Sequence, residues 1–204
     1  MKAIFLPLIV LSGVMSLNFS SPPNKKQPEG KIEFRKNLDH PFFHEYKWDY
    51  PWYVIPNDDG TFENTLGDSI SKEDTLHLTH TAASVSTHQG EHNIRYCFAQ
   101  KKGKEILLHF EDGLPAYGTT YFIRINGKKF TSEMSVNYIF PTEHLNIITR
   151  PIHQQLILDP NSINQGDSIR GIFDLTFEET HWEKGRPIYS DTSKFSGVFK
   201  AKME

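Results

Sequence analysis

Residues 169–177 read IRGIFDLTF, and residues 195–203 read FSGVFKAKM. In both stretches the odd-numbered positions are apolar or glycine, and a phenylalanine follows the glycine by two residues. Because alternate residues of a strand point to opposite faces, each stretch predicts a β-strand with one buried face. The shared pattern predicts that the two strands pair antiparallel, with Gly171 and Gly197 leaving space for a large neighbouring ring.

The alternating pattern recurs along the chain from Lys31 onward. Candidate strands occupy residues 32–35, 45–55, 75–81, 93–100, 105–110, 119–125, 129–140, 145–149, 154–159, 168–177 and 194–203. Asn126 and Gly127 predict a two-residue type I′ hairpin turn, because this pair accepts positive φ at both positions. About ten short strands at this spacing predict an all-β fold, an antiparallel β-sandwich of immunoglobulin-like or jelly-roll-like type. Residues 158–173, LDPNSINQGDSIRGIF, locally resemble strand beginnings in immunoglobulin-like modules.

Residues 178–194 separate the last two candidate strands and carry Trp182, Gly185, Pro187 and Tyr189. A connection of this length predicts a functional or partly disordered loop. Trp182 and Tyr189 are therefore predicted to contact a ligand.

The amino terminus predicts export. Lys2 precedes the apolar run AIFLPLIVLSGVM at residues 3–15, and we predict cleavage of the 1–16 signal peptide after Ser16. At about 1.5 Å per residue the run is too short for a hydrocarbon core of about 30 Å, which argues against a stable transmembrane anchor. A lipoprotein would need a cysteine directly after the run, and the single cysteine is Cys97.

The chain after the signal peptide predicts a linker followed by one folded domain. Residues 17–30 are rich in proline and predict a linker, and residues 31–204 predict a single β-sandwich domain, with any sub-lobe boundary near 141–152. One cysteine cannot form an intrachain disulfide, so this domain must be stabilised by its core. Export without disulfides predicts a bacterial periplasmic or secreted protein.

The charge balance argues against nucleic-acid binding. The 204-residue chain has 22 Lys and Arg against 25 Asp and Glu, a formal charge of −3. Nucleic-acid binding depends on Lys and Arg that neutralise phosphates, and no basic excess is present.

Residues 40–55, HPFFHEYKWDYPWYVI, carry aromatic residues at alternate positions: Tyr46, Trp48, Tyr50 and Trp52. Two interpretations stay open. The rings form the buried face of a strand, or they form a stacking platform for sugars or another flat ligand. Pro51 cannot donate to a β-ladder, so it places Trp52 and Tyr53 near a sheet edge. On the second interpretation Trp48, Tyr50, Trp52 and Tyr53 are ligand-binding residues.

Metal and catalytic motifs are weak. His88, Glu91 and His92 are the local candidates for a metal ion, but they give too few fixed ligands to predict a site. The sequence contains no nucleophile elbow, phosphate-binding loop or HExxH motif, and no cofactor is predicted. Glu178, Glu179 and Glu183 are the first candidates for carboxylate catalysis.

These observations favour an exported, non-enzymatic binding protein whose partner is an unknown protein or glycan. In this hypothesis aromatic rims and the 178–194 loop contact the partner. The alternative is a small secreted hydrolase, directed at glycans or esters, that uses surface carboxylates or the histidine loop. The sequence leaves the oligomeric state open.

Overall fold

The computed structural model describes residues 27–45, 54–56, 59, 61–64, 69–70, 81–87, 90–111, 118–137, 145–165 and 168–203. Thirteen strands and two short helices are present in these ranges. The strands are β1 (Gly30–Phe34), β2 (Val54–Pro56), β3 (Phe62–Asn64), β4 (Ser69–Ile70), β5 (Thr81–Thr87), β6 (Gly90–Ile94), β7 (Tyr96–Lys102), β8 (Glu105–Glu111), β9 (Gly118–Asn126), β10 (Lys129–Asn137), β11 (Leu145–Leu158), β12 (Ser168–Glu183) and β13 (Arg186–Lys202). The helices are α1 (Phe42–Glu45) and α2 (Pro160–Gln165). Within the described residues, no helix is long and apolar enough to cross a membrane.

The predicted all-β class is confirmed. Ten strands form one sheet in the order β6, β5, β13, β12, β11, β1, β10, β9, β8, β7, and β2, β3 and β4 form a second, small sheet. The large sheet is mixed rather than purely antiparallel, because β1 pairs parallel with β11 and antiparallel with β10. The immunoglobulin-like or jelly-roll-like type stays a prediction.

Aromatic rings hold the two halves of the large sheet together. Phe110 of β8 contacts Phe173 of β12 and Phe195 and Phe199 of β13, with ring centroids 5.1–5.4 Å apart. Tyr121 of β9 stacks on Phe195 at 4.1 Å. These strands are far apart in the sheet order, so the sheet curves until its inner faces meet. All five rings are almost completely buried and form the centre of the core.

The predicted pairing of the two C-terminal strands is confirmed, with Gly171 opposite Phe199 and Phe173 opposite Gly197. A Cβ atom at Gly171 would lie 2.8 Å from the Phe199 ring, as expected, but also 2.5 Å from the Ile157 carbonyl oxygen. At Gly197 the neighbour is not a ring. A Cβ atom there would lie 2.5 Å from the Ala82 carbonyl oxygen, so this glycine allows the β5 backbone to approach.

The loop predicted for residues 178–194 is wrong. These residues continue β12 and β13, and the connection is a two-residue turn at Lys184 and Gly185. Both turn residues have positive φ, 49° and 77°, as a type I′ turn requires. The prediction failed because the apolar alternation stops after Phe177 although the strand continues.

The predicted hairpin at Asn126 is confirmed, but its turn lies one residue later. Asn126 pairs with Lys129, so Gly127 and Lys128 form the turn. Only Gly127 has positive φ (61°), which fits a type II′ turn rather than the predicted type I′.

Other boundaries differ because of local irregularities. The strand predicted for 93–100 is divided at Arg95 into β6 and β7. The strands predicted for 145–149 and 154–159 form one strand, β11, with a bulge between Pro151 and His153. The sequence pattern did not predict β3, β4, β5 or either helix, and Glu45, predicted to begin the 45–55 strand, is the last residue of α1.

Asp159 joins α2 to β12. Its Oδ1 accepts the backbone N–H of Asn161 at 2.9 Å, which caps the first turn of the helix, and Pro160 occupies the first helical position. Its Oδ2 accepts Nε–H and Nη2–H from Arg170 at 3.0 and 2.5 Å. The Asp159 side chain is completely buried, whereas Arg170 remains about one-third exposed.

The thiol of Cys97 is expected to be unreactive in the folded protein. Cys97 is 1% exposed, and burial raises the pKa of its thiol. A raised pKa lowers the thiolate fraction at any given pH, and the thiolate is the reactive form. Labelling with a chromogenic disulfide reagent at about pH 8 should be slow for the native protein and rapid in guanidinium. Equal rates in the two conditions would contradict the buried position.

Candidate functional site

The three longest strands extend beyond the aromatic core. Residues 145–150 of β11, 178–183 of β12 and 186–193 of β13 form a three-stranded extension that we term the distal sheet. The pairing of β5 with β13 covers only residues 194–199. In the described part of the chain, 186–193 therefore pair with a strand on one side only.

Cross-strand register assigns the residues of the distal sheet to two faces. Paired residues share a face, and alternate residues along a strand point the same way. The inner face continues the core side of Phe173 and Phe177 and carries Ile147, Thr149, Glu179, His181, Tyr189, Asp191 and Ser193. The outer face carries Ile148, Arg150, Glu178, Thr180, Trp182, Ser190 and Thr192.

A supported aromatic ring lies on the inner face. Tyr189 stacks on His181 across the β12–β13 pair, with ring centroids 4.0 Å apart and an interplanar angle of 16°. His181 is 5% exposed and Tyr189 is 49% exposed. One face of the tyrosine ring is therefore held by a buried neighbour while much of the ring remains accessible.

A polar cluster, which we term the inner cluster, lies between this ring pair and the core. It consists of Tyr121, Glu179 and Ser193. The Ser193 hydroxyl, which is buried, donates a hydrogen bond to Glu179 Oε1. The Tyr121 ring contacts Phe177, the cross-strand partner of Ser193, with ring centroids 5.7 Å apart. Burial raises the pKa of the Tyr121 hydroxyl, and the negative charge of Glu179 adds to that rise.

The hydroxyl of Tyr121 is one of a few buried side-chain polar atoms without a hydrogen-bond partner in the described residues. It is inaccessible to solvent and has no hydrogen-bond partner within the described ranges. Leaving such a group unsatisfied costs about 1–3 kcal/mol.

The outer face of the distal sheet is partly apolar. Ile148 on this face is 38% exposed. Ile188, the extra residue of the bulge opposite His181 and Trp182, has no cross-strand partner that would assign it to a face, and it is 51% exposed. Arg150 donates from Nη2 to Glu178 Oε2 at 2.8 Å. The indole Nε1 of Trp182 is buried without a hydrogen-bond partner in the described structure.

The structure separates the two predicted ligand-contacting residues of the hairpin. Tyr189 shares the inner face with His181, whereas Trp182, the next residue along β12, points to the outer face. One ligand ring therefore cannot stack on both. The other predicted aromatic residues, Trp48, Tyr50, Trp52 and Tyr53, lie outside the described residues, and both interpretations of them stay predictions.

The weak metal candidates are not brought together where they can be located. Glu91 and His92 are exposed neighbours in β6, so their side chains point to opposite faces, and His88 lies outside the described residues. Across the described ranges, no group of three or more His, Cys, Asp or Glu side chains is placed to hold a metal ion.

The three candidate catalytic glutamates do not converge. Glu178 points to the outer face and pairs with Arg150, whereas Glu179 points to the inner face. Glu183 is exposed and lies 3.9 Å from the Lys184 ammonium nitrogen.

Sequence reasoning did not identify Tyr121, His181 or Ser193. For His181 a signal was available, because it continues the odd-numbered inner positions of β12. Placing Tyr121 and Ser193 beside Glu179 required the strand register and the curvature of the sheet.

Comparisons of the chain with family models, with curated proteins and with solved structures find no match.

Proposed function

We propose that this chain is an exported, non-enzymatic binding protein that contacts a glycan through the inner face of the distal sheet, with Tyr189 as the stacking platform. The observation that carries the proposal is the half-exposed Tyr189 ring held against the buried His181. An accessible aromatic ring fixed by a neighbour loses little conformational freedom when a ligand stacks on it.

The surroundings of Tyr189 suit a polar, ring-shaped ligand. Asp191 lies two residues along β13 on the same face and is half-buried, and Glu179 is its cross-strand partner. Carboxylates accept hydrogen bonds from sugar hydroxyls, while the tyrosine ring covers the apolar face of the sugar. A protein partner is the competing occupant of this surface.

Export and the sandwich architecture belong to the same proposal. The apolar run at 3–15, preceded by Lys2, supports removal of a signal peptide and a periplasmic or secreted location. Packing of the β8 and β9 rings against β12 and β13 supports a sandwich-like arrangement. The alternative hydrolase function stays a prediction.

Tyr189→Ala is expected to weaken glycan binding about tenfold or more while changing the melting temperature little, because the ring is half exposed. A glycan array with the mature protein would select the ligand, and calorimetry would compare the variants. Tyr189→Phe should bind like the wild type, since the stacking face is kept.

Thr192→Ala is the matched control, because Thr192 is exposed on the same strand but points to the outer face. It should bind like the wild type. An unchanged affinity in Tyr189→Ala, or no glycan bound by the wild type, would contradict the platform.

A further inference from the structure

We propose that one end of the large sheet binds the anionic headgroups of a phospholipid membrane. This end, which we term the basic end, consists of residues 29–31, 100–105 and 124–129, where β1, β8 and β10 begin and β7 and β9 end. The Tyr189 platform lies on other strands, β12 and β13, so either proposal can fail without the other.

The strand register brings the three segments of the basic end together. The β7–β8 turn and the β9–β10 turn lie side by side, because Glu105 of β8 pairs with Asn126 of β9. One row across five strands consists of Lys102, Glu105, Asn126, Lys129 and Lys31. Paired residues share a face, so the three lysines of this row point the same way. Lys104 and Lys128 add a charge in each turn.

The basic end is positively charged on a chain that is acidic overall. Its two acidic residues are Glu29 and Glu105, and its seven basic residues, all exposed, are Lys31, Lys101, Lys102, Lys104, Arg124, Lys128 and Lys129. This is a surplus of five positive charges, whereas the whole chain has a formal charge of −3. The sequence shows no basic excess because the three segments are far apart along the chain.

Most of these charges are available to a partner. Lys129 pairs with Glu29 at 2.6 Å, and Arg124 lies 3.8 Å from Glu105. Within the described residues, no ion pair involves the other five basic side chains of this end. An anionic partner can therefore reach five exposed ammonium groups.

The composition of the basic end favours a lipid surface over a nucleic acid. Six of the seven basic residues are lysines, which act as flexible point charges, whereas specific phosphate recognition uses the planar fork of arginine. The three segments contain no aromatic residue on which a single-stranded base could stack. An array of headgroups requires no fixed geometry, and each basic residue close to an anionic surface adds to the binding.

The path of the chain supports the same choice. β1 begins at Gly30, so the polypeptide that precedes the domain enters it at the basic end. Fourteen residues separate Gly30 from the apolar run at 3–15, and they span at most about 50 Å. Before the predicted cleavage after Ser16, an apolar run bound to a membrane would therefore keep the basic end close to lipid headgroups.

Co-sedimentation of the mature protein with lipid vesicles would test the proposal. At low ionic strength the protein should bind vesicles that mix phosphatidylcholine with phosphatidylglycerol, and it should not bind vesicles of phosphatidylcholine alone. Binding should be lost at about 1 M salt, because the Debye length there is only about 3 Å.

Replacing Lys101, Lys102 and Lys104 together by glutamine should lower the partition coefficient at least tenfold. Each basic residue near an anionic surface contributes about fivefold. The melting temperature should change little, because all three side chains are exposed.

The matched control is a second triple variant, Lys36→Gln, Arg95→Gln and Lys184→Gln. These residues are exposed, lie outside the basic end, and give the same change in net charge. This variant should bind within about twofold of the wild type, because charges further than a Debye length from the membrane are screened.

The proposal is overturned if the mature protein does not bind the anionic vesicles, if it binds the neutral vesicles equally, or if both triple variants lose the same affinity. Tighter binding to duplex DNA than to anionic vesicles, at equal phosphate concentration and salt, would identify a nucleic acid as the partner and would also overturn it.

Discussion

Replacing Phe195 by alanine should lower the free energy of unfolding by about 3–5 kcal/mol. Phe195 is completely buried, and its ring lies 4.1 Å from Tyr121, 4.4 Å from Phe173 and 5.4 Å from Phe110. These partners come from β8, β9 and β12, so the truncation would leave a cavity between the two halves of the sheet. Urea-induced unfolding would measure the loss.

Ile188→Ala is the control for this experiment. Ile188 is a large apolar residue of the same strand, but it is 51% exposed, and its truncation should change stability by no more than about 0.5 kcal/mol. A loss of under about 1 kcal/mol for Phe195→Ala would mean that the two inner faces do not pack through this ring.

The part of the fold that the sequence predicted well is the part where apolar periodicity and burial coincide. Ile169, Phe173 and Phe177 alternate on one face of β12, and that face is the core. Beyond Phe177 the inner positions are Glu179 and His181, so the strand continues without the signal that identifies one. Polar residues at the inner positions of a strand remove the alternating pattern by which the strand is recognised.

Long-range pairing had no local signal at all. β1 pairs parallel with residues 156–158 of β11, more than a hundred residues away in the chain, and neither stretch encodes its partner. Bulges have a similar effect, because one extra residue changes the face of everything that follows. The bulge at Pro151 in β11 and the one opposite Trp182 in β13 therefore decided which side chains share a face.

The candidate site was accordingly predicted in part. Composition identified Tyr189 and Glu179, which do lie on the inner face, but it also grouped them with Trp182 and Glu178, which do not. Only the register distinguishes these pairs. The contribution of Tyr121 depends further on the curvature of the sheet, since β9 and β12 are not neighbours.

Asp159→Ala should lower the free energy of unfolding by about 2–4 kcal/mol, more than the loss of an exposed charged side chain. The completely buried carboxylate both caps α2 at Asn161 and accepts two hydrogen bonds from Arg170. The loss should stay below that of a fully buried ion pair, because Arg170 is one-third exposed and can be rehydrated. Urea-induced unfolding would again measure it.

Asp159→Asn separates the two roles of this side chain. Asparagine keeps a cap acceptor but loses the charge that Arg170 pairs with, so its stability should lie between those of the wild type and Asp159→Ala. Glu33→Ala is the comparison for an exposed ion pair. Arg35 Nη2 lies 2.7 Å from Glu33 Oε1, and both side chains are about half exposed. Glu33→Ala should therefore lower the free energy of unfolding by no more than about 1 kcal/mol. Equal effects of Asp159→Ala and Glu33→Ala would show that burial of the carboxylate contributes nothing, and that α2 is held to β12 by other contacts.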